Sequence, residues 1–333
     1  MSSAITTIDM HTGGEPVRIV TEGYPDIPGA TILDKRRYVR ENFDHLRRLL
    51  MHEPRGHTDM YGVIPVEPDL PSADMAVLFM HNEGYSTMCG HAVIALGRYA
   101  VERGLVAARE PETLLIIQCP CGPVAVSVEV TNGKAGRVRF ESVPAFAFAL
   151  EKTVMTEPYG PVTVDIGYGG AFYAVVAADQ FGLDVRASKT RDLVDAATAV
   201  SEAAKAQVPL NHPDSDDLAF LYGTILTDGN DRGDGPSANV CVFADAQVDR
   251  SPTGSGVTTR IALQHRRRFV GLDEARTFES VTGAVFTGKA VRETECGPFK
   301  AVIVEVAGAA HFTGESRFWC ETGDDIGAGF RLR

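Results

Sequence analysis

The chain repeats itself once. Thr7-Ile8-Asp9-Met10-His11-Thr12-Gly13-Gly14 reads Thr-[Ile/Val]-Asp, three variable residues, then Gly-Gly, and Thr163 to Gly170 reads the same way. Each copy runs on into a strand-like stretch, Val17 to Val20 in the first and Phe172 to Val176 in the second. A second pair of landmarks follows in the same order: Cys89-Gly90-His91-Ala92-Val93, then Thr253-Gly254-Ser255-Gly256-Val257. The second pair is spaced slightly wider than the first, which one loop insertion in the later half explains. A plan used twice sets the architecture before any single element is assigned. It predicts two related halves, residues 1–155 carrying Cys89 and residues 156–323 carrying Thr253. Residues 324–333 are expected to form a short strand packing back onto the first half. At 333 residues the chain is long enough for two separate cores.

The elements between the landmarks are mixed α/β. Val39, Phe43, Leu46 and Leu50 recur at helical spacing and predict a helix from about Asp34 to Met51. Leu114 to Ile117, Val124 to Val130 and Gly136 to Val143 read as strands, as do Thr282 to Val291 and Phe299 to Val306. Asp192 to Ala206 is alanine-rich and helical, and Ala145 to Pro161 reads as the crossover between halves. Ala92, Val93, Ile94, Ala95, Leu96, Tyr99, Ala100 and Val101 are apolar almost all the way round a helix. Such a helix is buried on every side. In each half, strands are therefore expected to wrap one central helix, and the two helix starts are expected to face each other across a cleft.

A net charge of −12 argues against nucleic-acid binding. Arg266-Arg267-Arg268 reads as a solvated helix end rather than a phosphate patch. No apolar run is long enough to span a bilayer, and the start shows no basic patch followed by an apolar core, so a cytoplasmic protein is expected. Cys119-Pro120-Cys121 is too tightly spaced for a redox Cys-x-x-Cys and has no second pair with which to bind zinc, so both are read as free thiols. The histidines show no ligand-like spacing, and no metal site is predicted.

Cys89 stands just before a helix. The unpaired N–H groups of a first helical turn carry partial positive charge, which stabilises a thiolate and lowers its pKa from about 8.5. They also bind carboxylates, and Gly90 lets a ligand approach the backbone. A buried structural cysteine would leave the same motif. Asp249-Arg250-Ser251-Pro252-Thr253-Gly254-Ser255-Gly256 describes a second anion-binding helix start, or equally a plain capped helix. If the repeat holds, Thr253 mirrors Cys89.

Met88-Cys89-Gly90-His91 and Asp249-Arg250-Ser251-Pro252-x-Gly resemble the two signature motifs of the proline racemase family. Asp9 to Pro16, Glu53-Pro54-Arg55-Gly56-His57-x-Asp59-Met60 and Gly169-Gly170-x-Phe172-Tyr173 extend the resemblance along the chain. It implies a diaminopimelate-epimerase-like fold of two pseudo-symmetric α/β domains, usually a homodimer, working without metal or pyridoxal phosphate. It also implies two acid/base residues on opposite faces of the substrate α-carbon, both of them cysteines in the racemases.

This sequence has Thr253 at the second position. A threonine hydroxyl is too weak an acid to exchange protons as a thiol does. Family members with a Cys/Thr pair resemble trans-3-hydroxy-L-proline dehydratases, in which removal of the α-proton expels the 3-hydroxyl and yields Δ1-pyrroline-2-carboxylate. The resemblance makes Cys89 the base and Thr253 its counterpart. The backbone N–H groups of Gly90, His91, Gly254 and Ser255 would hold the carboxylate, Asp249 the ring ammonium, and Tyr61 and Phe243 the pyrrolidine ring. Tyr61 stands where the family has phenylalanine and either packs the ring or contacts the 3-hydroxyl. Cys89, His91 or a water on Thr253 would protonate the leaving group. Two other readings stay open: a hydroxyproline epimerase or proline racemase, and a non-catalytic amino-acid-binding protein.

Overall fold

The structure is a computed structural model that describes residues 4–233 and 235–332. It divides into two compact units. One runs to Val138 and resumes at Ala309; the other is Arg139–Gly308.

The first unit opens with β1 (Ile5–Thr12) and β2 (Glu15–Glu22), followed by α1 (Ile32–Asn42) and α2 (Asp44–Met51). Next come β3 (Tyr61–Val66), β4 (Met75–His81), β5 (Tyr85–Ser86), α3 (Gly90–Glu102), β6 (Glu112–Cys119), β7 (Gly122–Thr131) and β8 (Lys134–Glu141). The second unit contains β9 (Ala145–Thr156), β10 (Gly160–Tyr168), β11 (Phe172–Ala177), α4 (Thr190–Gln207), β12 (Leu221–Thr227), β13 (Ser237–Phe243) and β14 (Gln247–Asp249). It continues through α5 (Gly254–Arg266), β15 (Arg276–Glu279), β16 (Val285–Cys296) and β17 (Phe299–Gly308). The chain then returns to the first unit with β18 (Ala310–Phe318), antiparallel to β1 from Ile5↔Phe318 to Thr12↔Ala310.

The repeat is visible in the ladders. In the first unit β1–β2 is antiparallel, β2–β3 parallel, β3–β4 and β4–β5 antiparallel, β4–β6 parallel and β6–β7 antiparallel. In the second the same succession runs β10–β11, β11–β12, β12–β13, β13–β14, β13–β15 and β15–β16. The outer partner of β1 is β18, and that of β10 is β9, both antiparallel.

Each unit wraps its strands round one helix. α3 packs against β1, β2, β6, β7 and β18, and of its residues only Arg98 and Glu102 escape burial. A Cβ on Gly97 would come within 2.9 Å of Val138 and Val126, so the helix passes its sheet at a distance only glycine permits. α5 packs against β9, β10, β11, β16 and β17, and is buried from Gly254 to Gln264. Its buried cation is partnered inside: Arg260 donates through its terminal nitrogens to Asn239, Ser237 and Asp231 and lies over the Phe278 ring. A buried guanidinium needs such partners.

Several expectations shift. The division falls at 138/139 rather than 155/156, because Ala145–Thr156 is a strand paired with β10 and not a crossover. The return to the first unit begins at Ala309 rather than 324. Beyond it, residues 324–332 form turns and one isolated bridge, Glu53↔Phe330, instead of a strand. The helix expected over Asp34 to Met51 is two helices. The break is at Phe43, whose ring packs edge-on to Tyr24 and Tyr38. Arg267, in the basic run, forms ion pairs with Asp165 and Glu151 while its neighbours are exposed. Among the described residues, no helix is long and apolar enough to cross a membrane.

Candidate active site

Within the first unit, the predicted residues Tyr61, Cys89, Gly90 and His91 gather where α3 begins. Cys89 is the N-cap of that helix, in extended conformation (φ −148°, ψ 101°), and its sulfur accepts the Ala92 amide at 3.4 Å. Caps of this kind satisfy one of the orphan N–H groups of the first turn. The sulfur also lies 3.2 Å from Nδ1 and 3.5 Å from Nε2 of His91. Thr12, at the end of β1, donates to the His91 carbonyl at 2.9 Å and fixes the first turn against the sheet. Tyr61 presents its ring edge-on to His91 at 4.9 Å, and its hydroxyl is hydrogen-bonded to Ser86 Oγ.

Two further thiols, Cys119 and Cys121, lie at the end of β6 and in the turn after it. Burial pushes Cys119 far up, with further contributions from Cys121 and Cys89, and burial pushes Cys121 up to about 12. Both therefore stay protonated near neutral pH. Among the described residues no two cysteines are joined in a disulfide.

Within the second unit, Phe243, Asp249, Thr253, Gly254 and Ser255 gather where α5 begins. Asp249 ends β14 and accepts the Ser251 amide at 2.7 Å, and Ser251 Oγ in turn accepts the Thr253 amide at 3.1 Å. Thr253 is the N-cap of α5 at φ +65°, ψ 93°, and its side chain makes no cap hydrogen bond. It is the only β-branched residue among the described ones with positive φ. That backbone region is unfavourable for a branched side chain by roughly 1–3 kcal/mol. Its hydroxyl is buried without a hydrogen-bond partner.

The rest of the helix start is braced. Thr258 and Thr259 donate back to the Gly254 and Ser255 carbonyls, and Ser255 Oγ is hydrogen-bonded to the Tyr173 hydroxyl at 2.7 Å. Phe243 stacks on Tyr222 at 5.2 Å, and Tyr222 meets Tyr173 edge-on. Burial raises the Tyr173 hydroxyl well above its usual value, so it stays neutral.

Sequence reasoning missed the residues that hold these groups: Ser86 under Tyr61, Thr12 under His91, Ser251 under Thr253, and Tyr173 and Tyr222 under Ser255 and Phe243. Thr12, Ser251 and Tyr173 lie inside the quoted motifs, so the signal was present. Ser86 and Tyr222 carried none.

Residues 7–331 match the family model described as proline racemase. The chain is 62% identical to the trans-L-3-hydroxyproline dehydratase of Xenopus tropicalis, over 99% of this chain and 95% of that one. It is 58% identical to the trans-3-hydroxy-L-proline dehydratase of Homo sapiens, with the same coverage. Among solved structures, a hydroxyproline epimerase from Agrobacterium vitis with bound trans-4-hydroxy-L-proline superposes with a TM-score of 0.93 at 26% identity, covering 99% of this chain and 96% of that one.

Proposed function

The chain belongs to the proline racemase family, and we propose that it is a hydro-lyase converting trans-3-hydroxy-L-proline to Δ1-pyrroline-2-carboxylate. The observation that carries this reading is the identity of the two helix caps, a cysteine held by a histidine in one unit and a threonine in the other.

Cys89, as thiolate, removes the α-proton. The C2–H electrons form the C2=C3 bond, the C3–O bond breaks, and the hydroxyl departs as water on gaining a proton. The resulting enamine tautomerises to the imine. Helix-start N–H groups at Gly90, His91, Gly254 and Ser255 hold the carboxylate, which gains negative charge as the proton leaves, so they stabilise the transition state more than the ground state. Asp249 takes the ring ammonium. Tyr61 and Phe243 pack the pyrrolidine ring.

Stereochemistry narrows the acid. In the trans-3-hydroxy-L isomer the carboxylate and the hydroxyl are on opposite ring faces, so the α-hydrogen and the hydroxyl share a face. The group that takes the proton and the group that returns one to the leaving oxygen therefore sit on the Cys89 side. Cys89 and His91 fit; Thr253 on the opposite face does not. His91, 3.2 Å from the sulfur, is suited to pass the proton on. Thr253 leaves the second face without a proton donor, so the carbanion eliminates rather than inverting.

A base of this kind must stay reduced, which suits a cytoplasmic setting, and family resemblance supports a homodimer. The test is direct: incubation with trans-3-hydroxy-L-proline and borohydride should yield proline from the trapped imine. Absence of both proline and substrate loss refutes the reading. In D2O, α-deuteration of proline or 4-hydroxyproline with inversion would establish an epimerase instead.

A further inference from the structure

One cluster in the second unit takes no part in this chemistry. A ring nitrogen of His212, the sulfur of Cys296 and a carboxylate oxygen of Asp214 all lie within 4.8 Å of one another. His212 and Cys296 are buried and Asp214 is exposed. Sequence spacing hid the group, because Cys296 ends β16 far along the chain from the other two.

The surroundings hold the donors together. A Cβ on Gly297 would meet the Pro213 ring at 2.6 Å, so the loop of residues 212–214 rests directly on the turn after β16. The His212 ring packs against Tyr168 at 4.4 Å and Phe146 at 6.0 Å, which restricts its rotation. His212 Nδ1 accepts the Asp214 amide at 3.2 Å, while Nε2 is buried with no hydrogen-bond partner. A buried histidine nitrogen left unused is uncommon and calls for a ligand or a reason.

We propose that His212, Asp214 and Cys296 form a binding site for one divalent cation of the zinc class. An imidazole and a thiolate select a borderline-soft ion over magnesium or calcium, which take oxygen ligands. Three protein donors leave a fourth tetrahedral position for water, on the side where Asp214 meets solvent. Metal–ligand bonds of about 2.0–2.3 Å require the donors to draw together, and the exposed Asp214 carboxylate has the freedom to do so. Binding replaces the Cys296 S–H bond with a sulfur–metal bond and releases that proton to solvent. The site is distinct from the α5 start and does not supply the dehydration.

The test uses the full-length protein stripped with chelator and titrated with Co2+. Saturable one-to-one binding is expected, with a near-ultraviolet sulfur-to-cobalt charge-transfer band that Zn2+ abolishes by displacement. Cys296→Ser should remove the band and Cys89→Ala should keep it. Asp214→Asn should weaken binding by at least about tenfold, the smaller loss seen when even an outer-shell partner is removed, with the metal-free melting temperature and dehydration rate unchanged. No saturable band, or one that survives Cys296→Ser, overturns the proposal. Should Cys296→Ser not fold, unchanged Co2+ affinity in Asp214→Asn overturns it equally.

Discussion

Cys89 and Thr253 occupy the same place in two copies of one plan, yet their local states differ. The cysteine sits in relaxed extended backbone, caps its own helix and has its sulfur beside a histidine. The threonine is held at positive φ, caps nothing with its side chain and keeps its hydroxyl buried without a partner. The first helix start sets a thiol, the proposed base, in an ordinary setting. The second sets a hydroxyl in a strained one. Backbone strain at a site survives only where the surroundings fix it, and here the Asp249–Ser251–Thr253 chain of amide hydrogen bonds does that.

The contrast can be broken by substitution. Cys89→Ser should lower dehydration by about 10³-fold or more, within the range general-base catalysis supplies, with substrate binding retained by calorimetry. Equal kcat in that variant would remove Cys89 as the base. Thr253→Cys should introduce α-deuteration with inversion on 4-hydroxyproline in D2O, read by chiral chromatography and mass spectrometry. If none appears, a second thiol is not what separates the two reactions.

Glycine at each cap sharpens the difference through stability. Thr253→Gly relieves strain of roughly 1–3 kcal/mol against the loss of a small buried side chain, so the melting temperature should hold or rise. Cys89→Gly relieves nothing and loses packing, and should cost about 1 kcal/mol in urea unfolding. Equal losses at both sites would mean that the threonine backbone is unstrained.

The smallest effect concerns pH. Burial lowers the pKa of His52, which lies at the end of α2 and donates to the Asn82 carbonyl. Above about 6.5, the unfolded value, both states are neutral and the stabilisation is complete. As pH falls below it, the unfolded chain binds the proton first and stability declines until the lower folded pKa is passed. The urea midpoint should therefore drop between pH 7 and 5, and His52→Gln should flatten that slope.

Much of this was legible in the chain. The repeated Thr-[Ile/Val]-Asp…Gly-Gly and the paired helix starts gave the doubled ladder order, since each landmark sits at a strand end or cap where few residue types fit. The all-round apolar run from Ala92 to Val101 gave the central helix. The domain edge was not legible: Ala145–Thr156 alternates too weakly to reveal that it pairs with β10. The break at Phe43 depends on ring contacts with Tyr24 and Tyr38 that helical periodicity does not encode. The strain at Thr253 was equally hidden, because Ser-Pro-Thr-Gly suits an ordinary cap as well as a left-handed one.

The return of β18 to the first unit bears on the order in which the molecule is made. Ile5 in β1 pairs with Phe318, near the other end of the chain, whereas the second unit is one continuous stretch from Arg139 to Gly308. A ribosome delivers the chain from its N-terminus and domains fold as units. The half translated second can therefore close first, while the half bearing Cys89 waits with an open sheet edge for its last strand. A truncation before Ala310 strips the first unit of a strand and leaves the second unit's sequence whole.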